Sequence, residues 1–260
     1  MVKRQEAELN RITYLWELYE KGCSHQSVSG LRDSIPTYVS FFEGRQWPAP
    51  TQSTKNLPRP VVNIVKMICR SKKSAVLSSP VRVLYKSLSP LTDIDKLNDF
   101  ATCLFKEIDQ DEVDRRAIDD GVKKGSYFYH YYWDPSAPSL SSDEPGGVRC
   151  ELIDPLNIFF SCPEELNEQK QDWILISTRK SIKDVLEMAD EEIDPTLLVS
   201  DDFSSAYGTS EQDKSSKITL LTRYFRVNGE VFCERATKCA VISKPFSLTP
   251  DFTEDRKSVV

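Results

Sequence analysis

The chain has 260 residues, of which 39% are hydrophobic and 28% are charged, and its formal net charge at pH 7 is −6. This globular composition allows one large domain or two modest ones, and it excludes collagen-like and low-complexity chains. No apolar run approaches the ~18 residues of a membrane span. The first residues, MVKRQEAELNR, lack the apolar centre of a signal peptide.

Apolar residues recur at helical spacing in the first half of the chain. The pattern predicts helices at 2–21, 31–43, 61–77 and 92–108, followed by a second helix or a bent continuation to 124. Gly22 and Gly125 are expected to stop two of these helices, and Thr92 is expected to cap another. Pro36 is expected to interrupt the second. Segment 24–30 and the Pro-rich segment 45–60 are predicted loops, and 80–87 is a predicted short strand.

The second half of the chain changes to strand-like patterns. The aromatic run 126–135 and segments 146–155, 157–160 and 172–180 are predicted strands, and 181–190 is a predicted short helix. Asn228-Gly229 predicts a type I′ hairpin between 218–227 and 230–235, and 238–243 is a candidate third strand. Segment 191–216 is acidic and Ser-rich, and it is predicted to be a loop or insertion. We therefore predict an α+β fold with a helical part at 1–125 and an antiparallel β-rich part at 126–254.

Acidic and basic residues are segregated along the chain. Stretch 44–92 contains nine basic residues and no acidic one, whereas 184–213 contains ten acidic residues and no basic one. Such segregation concerns partners rather than fold. Three interpretations stay open for the basic stretch: direct DNA contact, pairing with an acidic neighbouring subunit, or no special role. The candidate DNA or subunit contacts are Lys66, Arg70, Lys72 and Lys73.

The residues that would indicate catalysis are not arranged in a recognisable pattern. No phosphate-binding loop, nucleophile elbow or His-Glu-x-x-His motif occurs. The seven cysteines are widely spaced and only two histidines are present, so we interpret the cysteines as small buried hydrophobes in a reducing compartment. His130 is interpreted as a structural histidine. We predict no enzyme activity, cofactor or metal; the alternative is a metal-dependent nucleic-acid-processing fragment that uses the acidic cluster near Asp111.

The aromatic run at 127–133 also has two interpretations. Its rings could stack on nucleobases, or the run could be a strand that lies between a core and a neighbour. The second interpretation is favoured because basic residues are not interleaved with the rings, apart from Lys123 and Lys124 at the entrance.

The stretch FFEGRQWP…NLPRPVVNIVKMICRSKKSAVLSSPVRVLY resembles the portal proteins of tailed bacteriophages. Those chains show an aromatic-x-x-Gly-x-Gln-Trp segment after an N-terminal helix, then a Pro-Arg-apolar-x-Asn segment that opens a helix. The matching residues here are Phe42, Gly44, Gln46, Trp47, Pro58, Arg59, Asn63 and Pro80. The later segments AIDDGVKKGSYFYHYYWDP and ELIDPLNIFF, followed by a strand with Trp173, are similar in layout to the same family.

The resemblance implies a wing-like portal region in a homo-oligomeric ring, expected to be a dodecamer. Its partners would be terminase, capsid and head-completion proteins and the double-stranded DNA that crosses the ring, with no membrane. The protein would be assembled in the host cytoplasm and found in the virion. A generic phage structural adaptor is the remaining alternative. In the motif, Gly44 would permit a tight turn, Gln46 would satisfy backbone groups, and a buried Trp47 would pin the loop to the helices. Arg59 and Asn63 would cap or brace the following helix.

The chain is shorter than the family, and the channel, clip and crown segments are not recognisable in it, so we expect it to be an N-terminal portion. Residues 255–260, DRKSVV, are what a widely used sequencing-adapter DNA encodes when it is read through. We expect this tail not to be native.

Overall fold

The computed structural model describes residues 2–78, 84–86, 93–134, 137, 146–165, 167–198 and 217–248. Its helices are α1 (Val2–Val28), α2 (Leu31–Phe42), α3 (Ile64–Leu77), α4 (Ile94–Glu107), α5 (Gln110–Lys124) and α6 (Ile182–Glu187). Its strands are β1 (Phe128–Asp134), β2 (Gly147–Ile153), β3 (Ile158–Phe160), β4 (Trp173–Ser181), β5 (Lys217–Val227), β6 (Glu230–Ala236) and β7 (Val241–Ser247). The predicted α+β fold, with helices followed by antiparallel strands, is confirmed.

The strands form two antiparallel sheets. β1 and β2 pair as a two-stranded ribbon, and the other five strands form a meander in the order β3-β4-β5-β6-β7. The Asn228-Gly229 hairpin is confirmed, because Val227 pairs with Glu230 across a turn with φ of 53° and 90° at its central residues. Both positive values fit the type I′ turn that Asn-Gly favours.

The chain divides into two compact units that do not follow the helical and strand halves. Unit 1 combines Met1–Asp33 with Leu156–Val260, and unit 2 is Ser34–Pro155. The boundary near residue 125 therefore separates helices from strands along the sequence but lies inside unit 2. Long-range packing groups the first helix with strands β3 to β7, and local composition does not reveal this grouping.

The main core of unit 1 lies between α1 and the five-stranded sheet. One face of α1 carries apolar residues at helical spacing, and these residues pack on side chains from four strands. The buried members of this cluster are Ile12, Leu15, Leu18, Tyr19, Phe159, Leu175, Leu221 and Ala236. A second buried cluster joins α6 to β5 and β7 through Val185, Leu198, Ile218, Leu220 and Ile242.

Helix α1 continues through Gly22 to Val28, so the predicted stop at Gly22 and the predicted loop at 24–30 are wrong. The physical reason is the contact that Gly22 makes with the sheet. A Cβ atom at this position would lie 2.4 Å from Cδ1 of Phe159. Gly22 therefore permits a close helix–sheet approach rather than a helix end, and Gln26 continues the attachment by donating a 3.2 Å hydrogen bond to the carbonyl of Ile158.

Unit 2 contains α2 to α5 and the β1–β2 ribbon. Pro36 lies within α2 rather than ending it. Helix α5 contacts α3, α4 and β2, and its Ala117 is fully buried. The helix ends at Gly125 with φ of 90°, as predicted. Lys124 joins this end of the helix to the residue after β2 through a 2.8 Å contact with Asp154.

Three local predictions have other outcomes. Asp93 caps α4 by accepting from the backbone N–H of Lys96, while Thr92 lies outside the described residues. Of the predicted strand at 80–87, only Leu84–Lys86 is described and it is not a strand. There the Asn98 side chain substitutes for a strand partner, because it accepts from the Tyr85 N–H at 2.9 Å and donates to the Tyr85 carbonyl at 3.3 Å. Residues 199–216 and 249–260, which include the proposed non-native tail, also lie outside the described residues.

Candidate subunit-contact surface

A turn at Gly44 begins the Pro-rich loop between α2 and α3. Gly44 has φ of 85°, a left-handed conformation that glycine adopts most readily. Asn63 closes the same loop from the other side. Its amide donates a 2.8 Å hydrogen bond to the Phe42 carbonyl, and its Oδ1 accepts from the Lys66 N–H at 2.8 Å. Asn63 therefore caps α3 and ties its first turn to the last residue of α2.

Two further residues of the loop are fixed by hydrogen bonds to its backbone. The Arg59 guanidinium donates to the Pro48 carbonyl at 2.6 Å and to Thr54 Oγ1 at 3.1 Å. The Trp47 indole N–H donates to the Pro60 carbonyl at 3.1 Å. Prolines leave carbonyls without matching N–H groups, and these two side chains satisfy some of them. Gln46 and Pro58 lie on the same loop, and no hydrogen bond to either side chain occurs within the described residues.

The predicted burial of Trp47 against the flanking helices is wrong. Its side chain is 51% exposed, so only the indole N–H is anchored and the ring meets solvent. The neighbouring apolar side chains of Leu57, Val61 and Val62 are also exposed. The loop therefore has no local core that could cover an indole ring.

Helix α3 presents its apolar face to solvent. Ile64, Met67 and Ile68 are 53%, 65% and 50% exposed, and no residue of the helix is buried. This apolar face is therefore not covered by the described residues. The half-buried side chains of α3 are instead Lys66, Cys69 and Lys73, two of which are basic.

Carboxylates and an aromatic ring on the adjoining helices explain why lysines face inward. Lys73 Nζ lies 3.1 Å from Asp119 Oδ1, and Lys123 bonds the other oxygen of the same carboxylate. The ammonium groups of Lys66 and Lys123 lie 5.6 Å and 4.4 Å from the centre of the Phe42 ring. Both distances are within the range of a cation–π contact. Phe42 thus joins α2 to α3 and α5.

Asp119 is the central anion of this network. Partial burial acts to raise its pKa, but the hydrogen bonds and charges of Lys123 and Lys73 outweigh burial and hold the pKa below its usual range. The same chain therefore supplies part of the negative charge that offsets the basic stretch. Lys73 is paired in this way and Lys66 lies over the Phe42 ring, whereas Arg70 and Lys72 remain exposed beside the apolar stripe.

The aromatic run forms a tyrosine row on strand β1 and the residue before it. The Tyr129 hydroxyl donates to Asp114 at 2.7 Å and the Tyr131 hydroxyl to Gln110 at 3.1 Å. Burial, the neighbouring Cys150 and Asp114 raise the pKa of Tyr131 to about 12. The ribbon has two strands within the described residues, and the tyrosine row contacts α5 on one of its faces. The hydroxyl contacts with α5 do not favour base stacking, because a carboxylate beside the rings repels phosphate.

Several acidic residues of α5 are paired with neighbours, and they do not converge on a site. Glu112 contacts Arg115 and Arg116, and Asp114 accepts from Gln110 and Tyr129. In the part of the chain that the structure describes, no group of three His, Cys, Asp or Glu side chains could hold a metal ion. His130 Nδ1 lies 2.9 Å from a carboxylate oxygen of Glu151, and its ring stacks on Tyr132. Both contacts are made within the β1–β2 ribbon.

The cysteines differ from the interpretation that all are buried hydrophobes. Cys233 is 1% exposed, and burial raises the pKa of its thiol to about 11. Cys103, Cys162 and Cys239 are exposed instead, and every cysteine is a free thiol.

Unit 1 contains a cleft that sequence reasoning did not identify. It has a volume of about 460 Å³, and it is lined by residues of α1, of the segment after α6, and of β7. Apolar lining is supplied by Leu9, Ile12, Ile193, Leu197, Val241 and Ile242, and carboxylates by Glu8, Asp190, Glu191, Glu192 and Asp194. We call this site the acidic cleft. The acidic run at 184–213 was the only signal for it in the sequence.

Comparison with known proteins adds no relative to this description. No protein-family model matches the chain, and no curated protein matches it. Among the described helices, none is both long and apolar enough to cross a membrane.

Proposed function

We propose that this chain is a structural subunit of the portal vertex of a tailed bacteriophage. In this role it forms a homo-oligomeric ring through which double-stranded DNA is packaged into the capsid and later ejected. The ring needs no cofactor and catalyses no reaction. It is assembled in the host cytoplasm, works with terminase, capsid and head-completion proteins, and remains in the virion.

The observation that carries the proposal is the large apolar surface of unit 2. Among the described residues, unit 2 contributes six of the 23 buried apolar side chains and 20 of the 29 large apolar side chains that are exposed. Unit 1 shows the opposite balance. Extensive exposed apolar surface is typical of protein–protein contact, so unit 2 has the character of a subunit that is completed by assembly.

The Pro-rich loop gives independent support. Four residues of the portal-like motif, Phe42, Trp47, Arg59 and Asn63, hydrogen-bond within one short segment between α2 and α3. The side chains of Trp47, Arg59 and Asn63 each donate to a backbone carbonyl, and Phe42 supplies one of these carbonyls, as a structural motif requires. None of them is placed beside a nucleophile or an acid–base pair.

The enzyme alternative has little support, because the carboxylates near Asp111 are dispersed along a helix and several of them are paired. The adaptor alternative is harder to separate, since an adaptor would also expose apolar surface. The two differ in self-association: a portal subunit forms closed rings from one kind of chain, whereas an adaptor requires a different partner.

The test is to purify the chain and determine its oligomeric state by sedimentation velocity, with electron microscopy of the largest species. We expect ring-shaped particles of uniform size. A chain that remains monomeric over a wide concentration range would contradict the portal proposal and favour the adaptor. Metal-dependent cleavage of single- or double-stranded DNA, abolished by Asp111→Asn and retained by Asp99→Asn, would support the enzyme instead.

A further inference from the structure

Helix α3 has an apolar stripe that faces away from its own unit. Ile64, Met67 and Ile68 follow the i, i+3, i+4 spacing of a single helix face, and all three are at least half exposed. Arg70 and Lys72 border the stripe on opposite sides and are also exposed. The usual arrangement of a surface helix is inverted here, since lysines pack against the protein and apolar groups face solvent.

The acidic cleft of unit 1 has the complementary character. It is lined partly by apolar groups, and its volume of about 460 Å³ lies within the ~300–1,000 Å³ typical of binding pockets. Lys244 is the one cation among its lining residues, and it pairs with Glu191. Asp190 accepts from Ser243 and from the Lys244 backbone. Glu192 and Asp194 add further negative charge to a site lined by apolar groups.

We infer that the apolar stripe of α3 docks into the acidic cleft of a second copy of this chain. The apolar side chains would leave water together, while Arg70 and Lys72 would meet the carboxylates around the cleft. The inference rests on the proposed ring function and specifies the contact between neighbours. Because two different surfaces meet, the contact is heterologous, and repeating it generates a ring if the rotation closes.

DNA is the less suitable occupant for each surface. An apolar stripe gains nothing from phosphate groups, and the cleft would repel them. A second copy offers both an apolar surface and a charge of the right sign to each site. The contact also gives the segregated charges of the chain a single physical role.

The first experiment reverses the charge on each side separately. One variant carries Arg70→Glu with Lys72→Glu, and the other carries Glu191→Lys with Glu192→Lys. All four residues are exposed, and the exposed ion pair of Glu191 with Lys244 contributes little to folding. Each variant alone should associate more than about tenfold more weakly, since like charges then meet. An equimolar mixture should recover association, because every contact in an alternating assembly again joins opposite charges.

The second experiment tests the apolar part of the contact. Met67→Asp should also weaken association by about tenfold or more, because it places a charge in the buried contact. Phe100→Asp on α4 is the matched control: Phe100 is 66% exposed and Met67 is 65% exposed. Thermal melts of all variants establish that each one folds.

The outcomes separate the contact from the proposed function. Association that is lost in each reversed variant and recovered in the mixture supports the inference. Association that is unaffected by the reversals, or equally weakened by Phe100→Asp, overturns the contact and leaves the ring proposal standing. A wild-type chain that is monomeric throughout overturns both.

Discussion

Glu234 is a carboxylate in the interior of unit 1. It is 3% exposed, and Arg223 donates to it at 2.8 Å while Arg11 of α1 lies at 3.5 Å. The Arg223 guanidinium also lies over the rings of Phe225 and Tyr14, at 4.2 Å and 5.0 Å from their centres. These ion pairs connect α1 to β5 and β6.

Removing Glu234 should destabilise the fold strongly. We expect Glu234→Ala to lower the free energy of unfolding by about 3–5 kcal/mol, because the guanidinium of Arg223 would remain buried without its counter-charge. Replacing both partners, as Arg223→Met with Glu234→Leu, should cost less than the single change. Urea unfolding measures the three values. Glu230→Ala, at an exposed position of the same strand, is the control, and an equal loss in control and test would refute this role.

Asp119 should make the attachment of α3 sensitive to acid. Its folded pKa is depressed, so its stabilising contribution is complete above the unfolded pKa of about 3.9 and is lost as the pH falls through the folded value. We expect Asp119→Asn to lower stability at pH 7 and to differ little from wild type near pH 2. Chemical unfolding at the two pH values tests this prediction. Asp99→Asn, at an exposed carboxylate of α4, should show no such dependence; a constant gap between Asp119→Asn and wild type would contradict the assignment.

At the scale of elements, α1 and α3 are both amphipathic but are used in opposite ways. The apolar face of α1 is covered by side chains from four strands of the five-stranded sheet, and Tyr19 and Phe159 meet edge to face at 5.3 Å. The apolar face of α3 is uncovered. The difference comes from the neighbours, since α5 offers carboxylates to α3 whereas the sheet offers apolar side chains to α1.

The close packing of α1 on the sheet should tolerate no side chain at Gly22. Gly22→Ala adds a methyl group 2.4 Å from the Phe159 ring, and we expect a loss of about 1–3 kcal/mol from overpacking. This loss should exceed the ~1 kcal/mol that alanine gains in helix propensity. Thermal or urea unfolding measures the balance, with Lys21→Ala as a control at an exposed position. In a Phe159→Leu background the penalty should shrink; an unchanged penalty would mean that another contact is responsible.

At the scale of the whole molecule, burial is distributed unequally between the two units. Most of the buried apolar side chains belong to unit 1, in the clusters around α1 and α6. Unit 2 relies more on ion pairs, hydrogen bonds and small buried residues such as Ala101 and Ala117. A unit with few buried apolar side chains has a lower free energy of local unfolding.

Amide hydrogen exchange should therefore be uneven in the unassembled chain. We expect the slowest exchange in β4, β5 and β6, which are central in the sheet, and much faster exchange in α3 and α4. Mass spectrometry of peptic fragments resolves these segments. Equal protection of α3 and β5 in a monomer would show that unit 2 is more stable than its burial indicates. Protection of α3 that appears only on association would agree with the proposed subunit contact.

Several features were predictable because they depend on neighbours in the chain. The Asn228-Gly229 turn, the strands on either side of it and the end of α5 at Gly125 follow from local backbone preferences. The start of α3 was placed within three residues of its observed position. Alternation and helical spacing are properties of short segments, so the α+β class could be predicted without knowledge of tertiary contacts.

Other features depend on residues that are distant in the sequence. The role of Gly22 requires Phe159, the inward Lys73 of α3 requires Asp119, and the acidic cleft combines α1 with β7. Trp47 is exposed because no apolar side chain in the described part of the chain covers it. The sequence by itself determined the elements, their order and the segregation of charge, since these are local properties. Only the tertiary structure decided which apolar faces are covered, because burial depends on which elements meet.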